Sequence, residues 1–151
     1  MTKAGNTTSY PKEKIRILFL ENISDTAVKN FRHHGYVRVD KISKALTEEQ
    51  LIEEIKDVHI LGIRSKTQVT KKILDAAKKL QAIGCFCIGV NQVDLKSATK
   101  NGVVVFNAPY SNTRSVAELV IGAAIMLIRR IPDKNNAAHK GIWMKDAKGS
   151  Y

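Results

Sequence analysis

Short runs of apolar residues alternate along the chain with longer stretches in which apolar positions recur at helical spacing. The first run, Ile15-Arg16-Ile17-Leu18-Phe19-Leu20, is too short for a helix and free of breakers, and it reads as a buried strand. Glu21 to Ser24 turns the chain. Ser24 is placed to cap a helix reaching His33 or His34, and Gly35 is a natural stop for it. Tyr36 to Val39 predicts a second, short strand near an edge. Thr47-Glu48-Glu49-Gln50 has the capping-box pattern and opens a helix with Leu51, Ile52 and Ile55 on one face. Val58 to Ile63 predicts a third strand, Thr70 to Ala77 a helix, and Leu80 to Gly84 a fourth strand. A loop over residues 85–94 leads to a short helix at Leu95 to Lys100. After the Asn101-Gly102 turn, Val103 to Phe106 predicts the fifth strand. Ser115-Val116-Ala117-Glu118 is a second capping box, and it opens a long helix running at least to Arg130, with Pro132 near its end.

Strand and helix alternate throughout, which implies a parallel sheet covered on both faces. The expected fold is α/β: a flavodoxin-like, doubly wound, parallel five-stranded sheet of order 2-1-3-4-5, followed by a long apolar C-terminal helix. Residues 1–13 are polar, carry Pro11 and predict a flexible tail. Residues 14–151 predict one domain. The helix over residues 115–130 is apolar nearly all round, with Leu119, Ile121, Ile125, Met126 and Ile128 leaving little polar surface. Such a helix must be buried on most sides, so another domain or a second copy of the chain is expected against it.

Composition narrows the classes. With 151 residues, 44% hydrophobic and 26% charged, the chain has the make-up of a globular domain, not of a disordered or disulfide-rich one. Two cysteines, Cys85 and Cys87, make no disulfide framework and point to a reducing, cytoplasmic setting. The run from Val116 to Ile128 holds Glu118 and is too short to span a bilayer, so no membrane partner is expected. No apolar stretch follows the first residues to suggest a secretory signal. The net charge of +11 favours anionic ligands, but the basic residues are scattered and aromatics are only 6%, so a nucleic-acid stripe is not evident.

In open parallel sheets, ligands bind beyond the carboxyl ends of the strands. Three segments lie there: Arg64-Ser65-Lys66-Thr67, Gly84-Cys85-Phe86-Cys87-Ile88-Gly89, and Asn107 to Arg114 leading into a helix start. Arg64 offers a forked donor to carboxylate or phosphate, and Ser65 and Asn112 add neutral donors. Together they suggest a small acidic ligand. Equally, Arg64 would serve to cap loop carbonyls and Asn112 to make a turn. Gly84 to Gly89 keeps only the end glycines of a dinucleotide fingerprint. No P-loop, metal-ligand spacing or Ser-His-Asp pattern occurs, so no catalytic residue and no metal is expected in this chain. His33 and His34 read as a solvated pair at a helix end, His59 as structural, and the two cysteines as free thiols.

Gly62-Ile63-Arg64-Ser65-Lys66-Thr67, the segment from Ala82 to Asp94, and the segment from Phe106 to Glu118 resemble the N-terminal portion of the D-isomer-specific 2-hydroxyacid dehydrogenase family, and the middle segment resembles its phosphoglycerate branch. The resemblance runs from about Ile15 to Tyr151. It implies an NAD-dependent oxidoreductase with two α/β domains, oxidising 3-phospho-D-glycerate at the start of L-serine synthesis. It implies substrate contacts from Arg64, Ser65, Lys66 and Asn112, and NAD contacts from Ile88 and Gly89. It further implies a homo-oligomer, at least a dimer through the helix over residues 115–130. The family's dinucleotide fingerprint, catalytic His, its Glu partner and a catalytic Arg match nothing in this sequence, so these residues alone are expected to bind substrate without turning it over. Lys66 stands where the family often has Arg, Cys87 where it often has Gly, and Asn91 where it often has Asp. The competing expectations are a free-standing anion-binding or dimerisation module and a basic nucleic-acid-binding domain.

Overall fold

The computed structural model describes residues 10–145. Five parallel strands form one sheet: β1 (Arg16–Phe19), β2 (Arg38–Lys41), β3 (Ile60–Ile63), β4 (Ala82–Cys85) and β5 (Val104–Asn107), in the order β2-β1-β3-β4-β5. The expected order is therefore the observed one. Between the strands run α1 (Asp25–His33), α2 (Glu48–Glu54), α3 (Lys71–Ala76) and α4 (Leu95–Lys100). The chain forms two compact units, Met1–Pro109 with the sheet and Tyr110–Tyr151 with α5 (Thr113–Ile128) and α6 (Ile131–His139).

The alternation of side chains along each strand builds two cores. Leu18, Leu20, Leu61, Ile63 and Ile83 point to one face, where they meet Leu51 of α2, Ile73 and Leu74 of α3 and Ala98 of α4. Ile17, Phe19 and Val39 point to the other, where they meet Val28 and Phe31 of α1. This second face is covered only in part. Val104 and Phe106, which pair across β4 with Ala82 and Gly84, remain exposed beside Phe86. Gly62 makes room on the same face. A Cβ there would collide with the Phe19 ring, so only glycine lets that ring lie across β3.

Local signals in the first unit act largely as anticipated. The Ser24 hydroxyl accepts from the Thr26 N–H, and Gly35 ends α1 with φ +91°. Thr47 and Gln50 exchange both bonds of the capping box. Several expectations are corrected. The second strand begins at Arg38, not Tyr36, because Tyr36 packs edge-on against Phe31 in the second core instead of pairing with β1. Part of the tail expected over residues 1–13 is described, and it makes contacts with the first unit. Tyr10 stacks on His59, Lys12–Lys14 form a 3-10 turn, and the Lys12 ammonium donates to the His34 carbonyl; residues 1–9 lie outside the described residues. In the second unit, Ser115 is not a cap. The helix starts at Thr113, behind Asn112, and Glu118 pairs with Arg114 instead. Nor does the apolar helix extend to Arg130. Arg130 takes a left-handed φ of +50° and Pro132 opens α6, whose first turn needs no N–H from it. No helix among the described residues is long and apolar enough to cross a membrane.

At the amino ends of the strands, Arg16 gathers Asp40, Glu54 and Asp57 around its guanidinium, and Arg38 shares Asp57. Burial alone would lower the Arg16 pKa, but the three carboxylates raise it well above its ordinary value. The cluster ties β1 to β2 and to the end of α2. Nearby, buried His59 accepts from the Arg16 N–H through Nδ1 at 3.1 Å, a bond that requires the ring to be neutral at that nitrogen. Burial first, and then the charges of Lys79 and Arg38, hold the His59 pKa below its usual value against the pull of Asp57. The unfolded chain therefore binds the proton more readily than the folded one. The His59 contribution should be complete above about pH 6.5 and decline as pH falls from there toward the folded pKa. Urea denaturation at pH 7.5 and pH 5.5 should show the chain less stable at the lower value, and a His59→Phe variant should lose that part of the slope. Equal slopes in the two proteins would remove His59 from the pH response.

Candidate anion-binding site

A sheet of this order reverses direction between β1 and β3, and loops leaving their carboxyl ends diverge to open a crevice. A cavity of about 570 Å³ lies at that point. Glu21 and Asn22 follow β1, Ser43, Lys44 and Ala45 follow β2, and Arg64, Ser65 and Lys66 follow β3. The Arg64, Lys44 and Lys66 cations have no hydrogen-bond or ion-pair partner among the described residues. Three free cations around one crevice create a positive potential that attracts anions.

The wall of this cavity is fastened from behind. The Glu21 carboxylate is buried and accepts three backbone N–H groups: Arg64 at 3.1 Å and Thr67 at 2.9 Å on Oε1, and Lys66 at 2.9 Å on Oε2. Burial would raise its pKa, but the N–H groups of Thr67, Lys66 and Arg64 outweigh that and hold it below the ordinary value. Gln92, also buried, donates through Nε2 to the Arg64 carbonyl at 2.9 Å and to the Gly89 carbonyl and Cys87 sulfur at 3.3 Å each. A parallel bridge between Val69 and Val93 closes the two loops further along. Thus the segment after β3 and the loop after β4 are fastened to each other.

The structure brings Arg64, Ser65 and Lys66 to one cavity, and Arg64 does not spend its side chain on loop carbonyls. Ile88 and Gly89 lie on the exposed loop after β4. The Ile88 carbonyl accepts from Asn107 Nδ2 at 2.7 Å, leaving its apolar side chain outward. Asn112 belongs to the second unit, precedes α5 and makes no side-chain cap there. Cys85 is buried, and that burial, with Cys87 beside it, pushes its thiol up to about 11. His33 and His34 are exposed at the end of α1, with their rings edge-to-face at 5.5 Å. No group of metal-ligating side chains occurs among the described residues. Glu21, Gln92 and Lys44 are participants that pattern reading missed. A carboxylate directly after a strand gave a faint signal for Glu21. Nothing in the spacing marks Gln92 or Lys44.

A parallel sheet with a cation-lined crevice at its reversal point has the form of a ligand-binding α/β unit. The family described as D-isomer specific 2-hydroxyacid dehydrogenase, catalytic domain, matches residues 17–145, and the chain belongs to that family. It is similar to D-3-phosphoglycerate dehydrogenases: 56% identical over 145 residues to that of Dictyostelium discoideum and 51% over 143 residues to that of Escherichia coli K12. These alignments cover 96% and 95% of this chain but 35% of each relative, so the chain spans about a third of their length. Among solved structures, the NAD+-bound 3-phosphoglycerate dehydrogenase of Entamoeba histolytica is similar with a TM-score of 0.64 and 28% identity, covering 76% of this chain and 40% of that one. The D-lactate dehydrogenase of Aquifex aeolicus shares the fold, with a TM-score of 0.74 and 17% identity over 88% of this chain and 40% of that one.

The clasp made by Gln92 can be weighed directly. Gln92→Leu keeps the volume but leaves the Arg64 carbonyl without its donor and the Gly89 carbonyl with the Cys87 thiol alone, which should cost about 1–3 kcal/mol. Urea denaturation of the variant should show that loss. Undiminished stability would mean that water replaces the amide and the two loops are held by their backbone bridge alone.

Proposed function

We propose that the chain is the substrate-anchoring part of an NAD-dependent oxidoreductase acting on 3-phospho-D-glycerate, in the cytoplasm, at the entry to serine synthesis. The observation that carries this reading is the crevice with unpartnered Arg64, Lys44 and Lys66, in a chain about half identical to phosphoglycerate dehydrogenases. 3-Phosphoglycerate carries a carboxylate at one end and a phosphate at the other. The Arg64 fork suits either group bidentately, while Lys44 and Lys66 supply point charges and Ser65 a neutral donor. Gathering the cations at one crevice favours a small anion over a nucleic acid, which needs a stripe.

NAD supplies the hydride acceptor for such an oxidation when it is bound. The loop carrying Ile88 and Gly89 suits one part of that role. Its carbonyls are engaged internally, and the exposed Ile88 offers an apolar contact to the nicotinamide end. Residues 87–91 hold no cation for a pyrophosphate, so these residues do not make a whole dinucleotide site. The part played by the described residues is to hold the substrate and neutralise its charge.

An NMR titration of the 151-residue chain with 3-phosphoglycerate should perturb the resonances of residues 64–66. Arg64→Ala should weaken binding roughly ten- to a hundredfold, as expected for losing a bond to a charged group worth about 1.5–3 kcal/mol. Arg64→Lys should recover only part, because the fork is gone. Binding by Arg64→Ala equal to that of the parent chain would remove Arg64 from the site.

Helix α5 carries the proposed subunit contact. Leu119, Val120, Ile121 and Leu127 are all exposed on it. An apolar patch of this kind favours burial, most simply against its own copy about a two-fold axis. Sedimentation should show a dimer that tightens as salt screens the charge of +11. Leu119→Lys with Met126→Lys should give a folded monomer. A parent chain that stays monomeric at high concentration and high salt would refute the contact.

A further inference from the structure

We propose that Glu21 is the positioning residue of the anion crevice: by drawing the N–H groups of Arg64, Lys66 and Thr67 onto its carboxylate, it sets the main-chain course that presents the Arg64 and Lys66 side chains to the ligand. The inference rests on the reading that 3-phosphoglycerate occupies this crevice.

Three converging N–H groups in the loop after a strand form a concavity that attracts an anion. Here Glu21 fills it, at 2.9–3.1 Å. A ligand anion therefore finds those three main-chain donors taken and depends chiefly on side chains. That makes the direction of the Arg64 and Lys66 side chains decisive for affinity. The Arg64 peptide is gripped at both ends, its N–H by Glu21 and its carbonyl by Gln92 at 2.9 Å.

Backbone strain points the same way. Glu21 and Asn22 have φ of +58° and +54°, a left-handed conformation that is unfavourable for side-chain-bearing residues. Such conformations persist where the surroundings over-determine them, and they concentrate at binding sites. Two in succession turn the chain sharply after β1 and bring the carboxylate beneath the loop. The charge sign adds to the case. A buried carboxylate beside an anion site opposes the ligand electrostatically, so its benefit lies in the geometry that it imposes.

The opposing signs make the test sharp. In Glu21→Gln the side chain keeps its size, and its one carbonyl oxygen can still accept from Arg64 and Thr67. It loses the negative charge and the acceptor for Lys66. Titration of the 151-residue parent and variant with 3-phosphoglycerate, followed by NMR on the folded protein, should show binding weakened about tenfold in the variant. Hydrogen exchange should show the Lys66 amide protected in the parent and exposed in the variant. A role confined to stability would leave the affinity of the folded protein unchanged, and a purely electrostatic role would make the variant bind more tightly. Either result overturns the proposal. Should the parent itself bind no 3-phosphoglycerate, the substrate reading fails, and positioning is then decided by the loop. Displaced Arg64 Nε–H and Lys66 amide resonances in Glu21→Gln would uphold it, and unmoved ones would overturn it.

Discussion

The close approach of Phe19 to Gly62 is the contact on which the rest of the first unit depends. A parallel pair of strands can slip in register unless side chains forbid it. The absence of a Cβ at Gly62 leaves a trough across β3, and the Phe19 ring lies in it, edge-on to Phe31 on one side and Phe86 on the other. That contact joins α1, β1, β3 and the loop after β4. It also fixes how far the chain has travelled when β1 ends. Leu20 still donates to the Gly62 carbonyl at 2.9 Å, and the next residue, Glu21, arrives beneath the turn that leaves β3. The cation-lined crevice is thus a consequence of strand register.

The two ends of the sheet use charge in different ways. At the amino ends, Arg16 is surrounded by Asp40, Glu54 and Asp57, and its charge is spent within the fold. At the carboxyl ends, the one buried carboxylate is satisfied by backbone N–H groups, so the neighbouring cations keep their charge for solvent or ligand. Carboxylate-to-backbone bonding allows the acid and the bases to share a small volume without cancelling each other.

Much of the first unit was legible because its signals are local. The capping box at Thr47, the Ser24 cap and the Gly35 stop each involve residues within a few positions of one another, and the structure realises all three. Arg64, Ser65 and Lys66 were legible as a group because a carboxyl-terminal strand end is a place that topology defines. Ser115 and Glu118 had the same pattern as Thr47 and Gln50 but formed no cap. The helix had already begun at Thr113, and Glu118 found Arg114 one turn away. A capping pattern names two compatible residues and does not choose between competing partners. Tyr36 failed as a strand residue for a related reason: its ring packs edge-on against Phe31 and its N–H donates to the Phe31 carbonyl, not to β1.

Sequence by itself determined the α/β class, the strand order and the cationic loop after β3, because apolar periodicity and turn residues act over short stretches of chain. Tertiary structure alone decided that Glu21, forty-three positions from Arg64, would hold that loop by its N–H groups. It alone decided that Gln92 would fasten the loop from the other side, and that Lys44 would join the crevice. These contacts join residues from separate βα units, and no periodicity links them. They exist only once the parallel register has brought the carboxyl ends of β1, β2 and β3 together, which is a property of the assembled sheet and of no single segment.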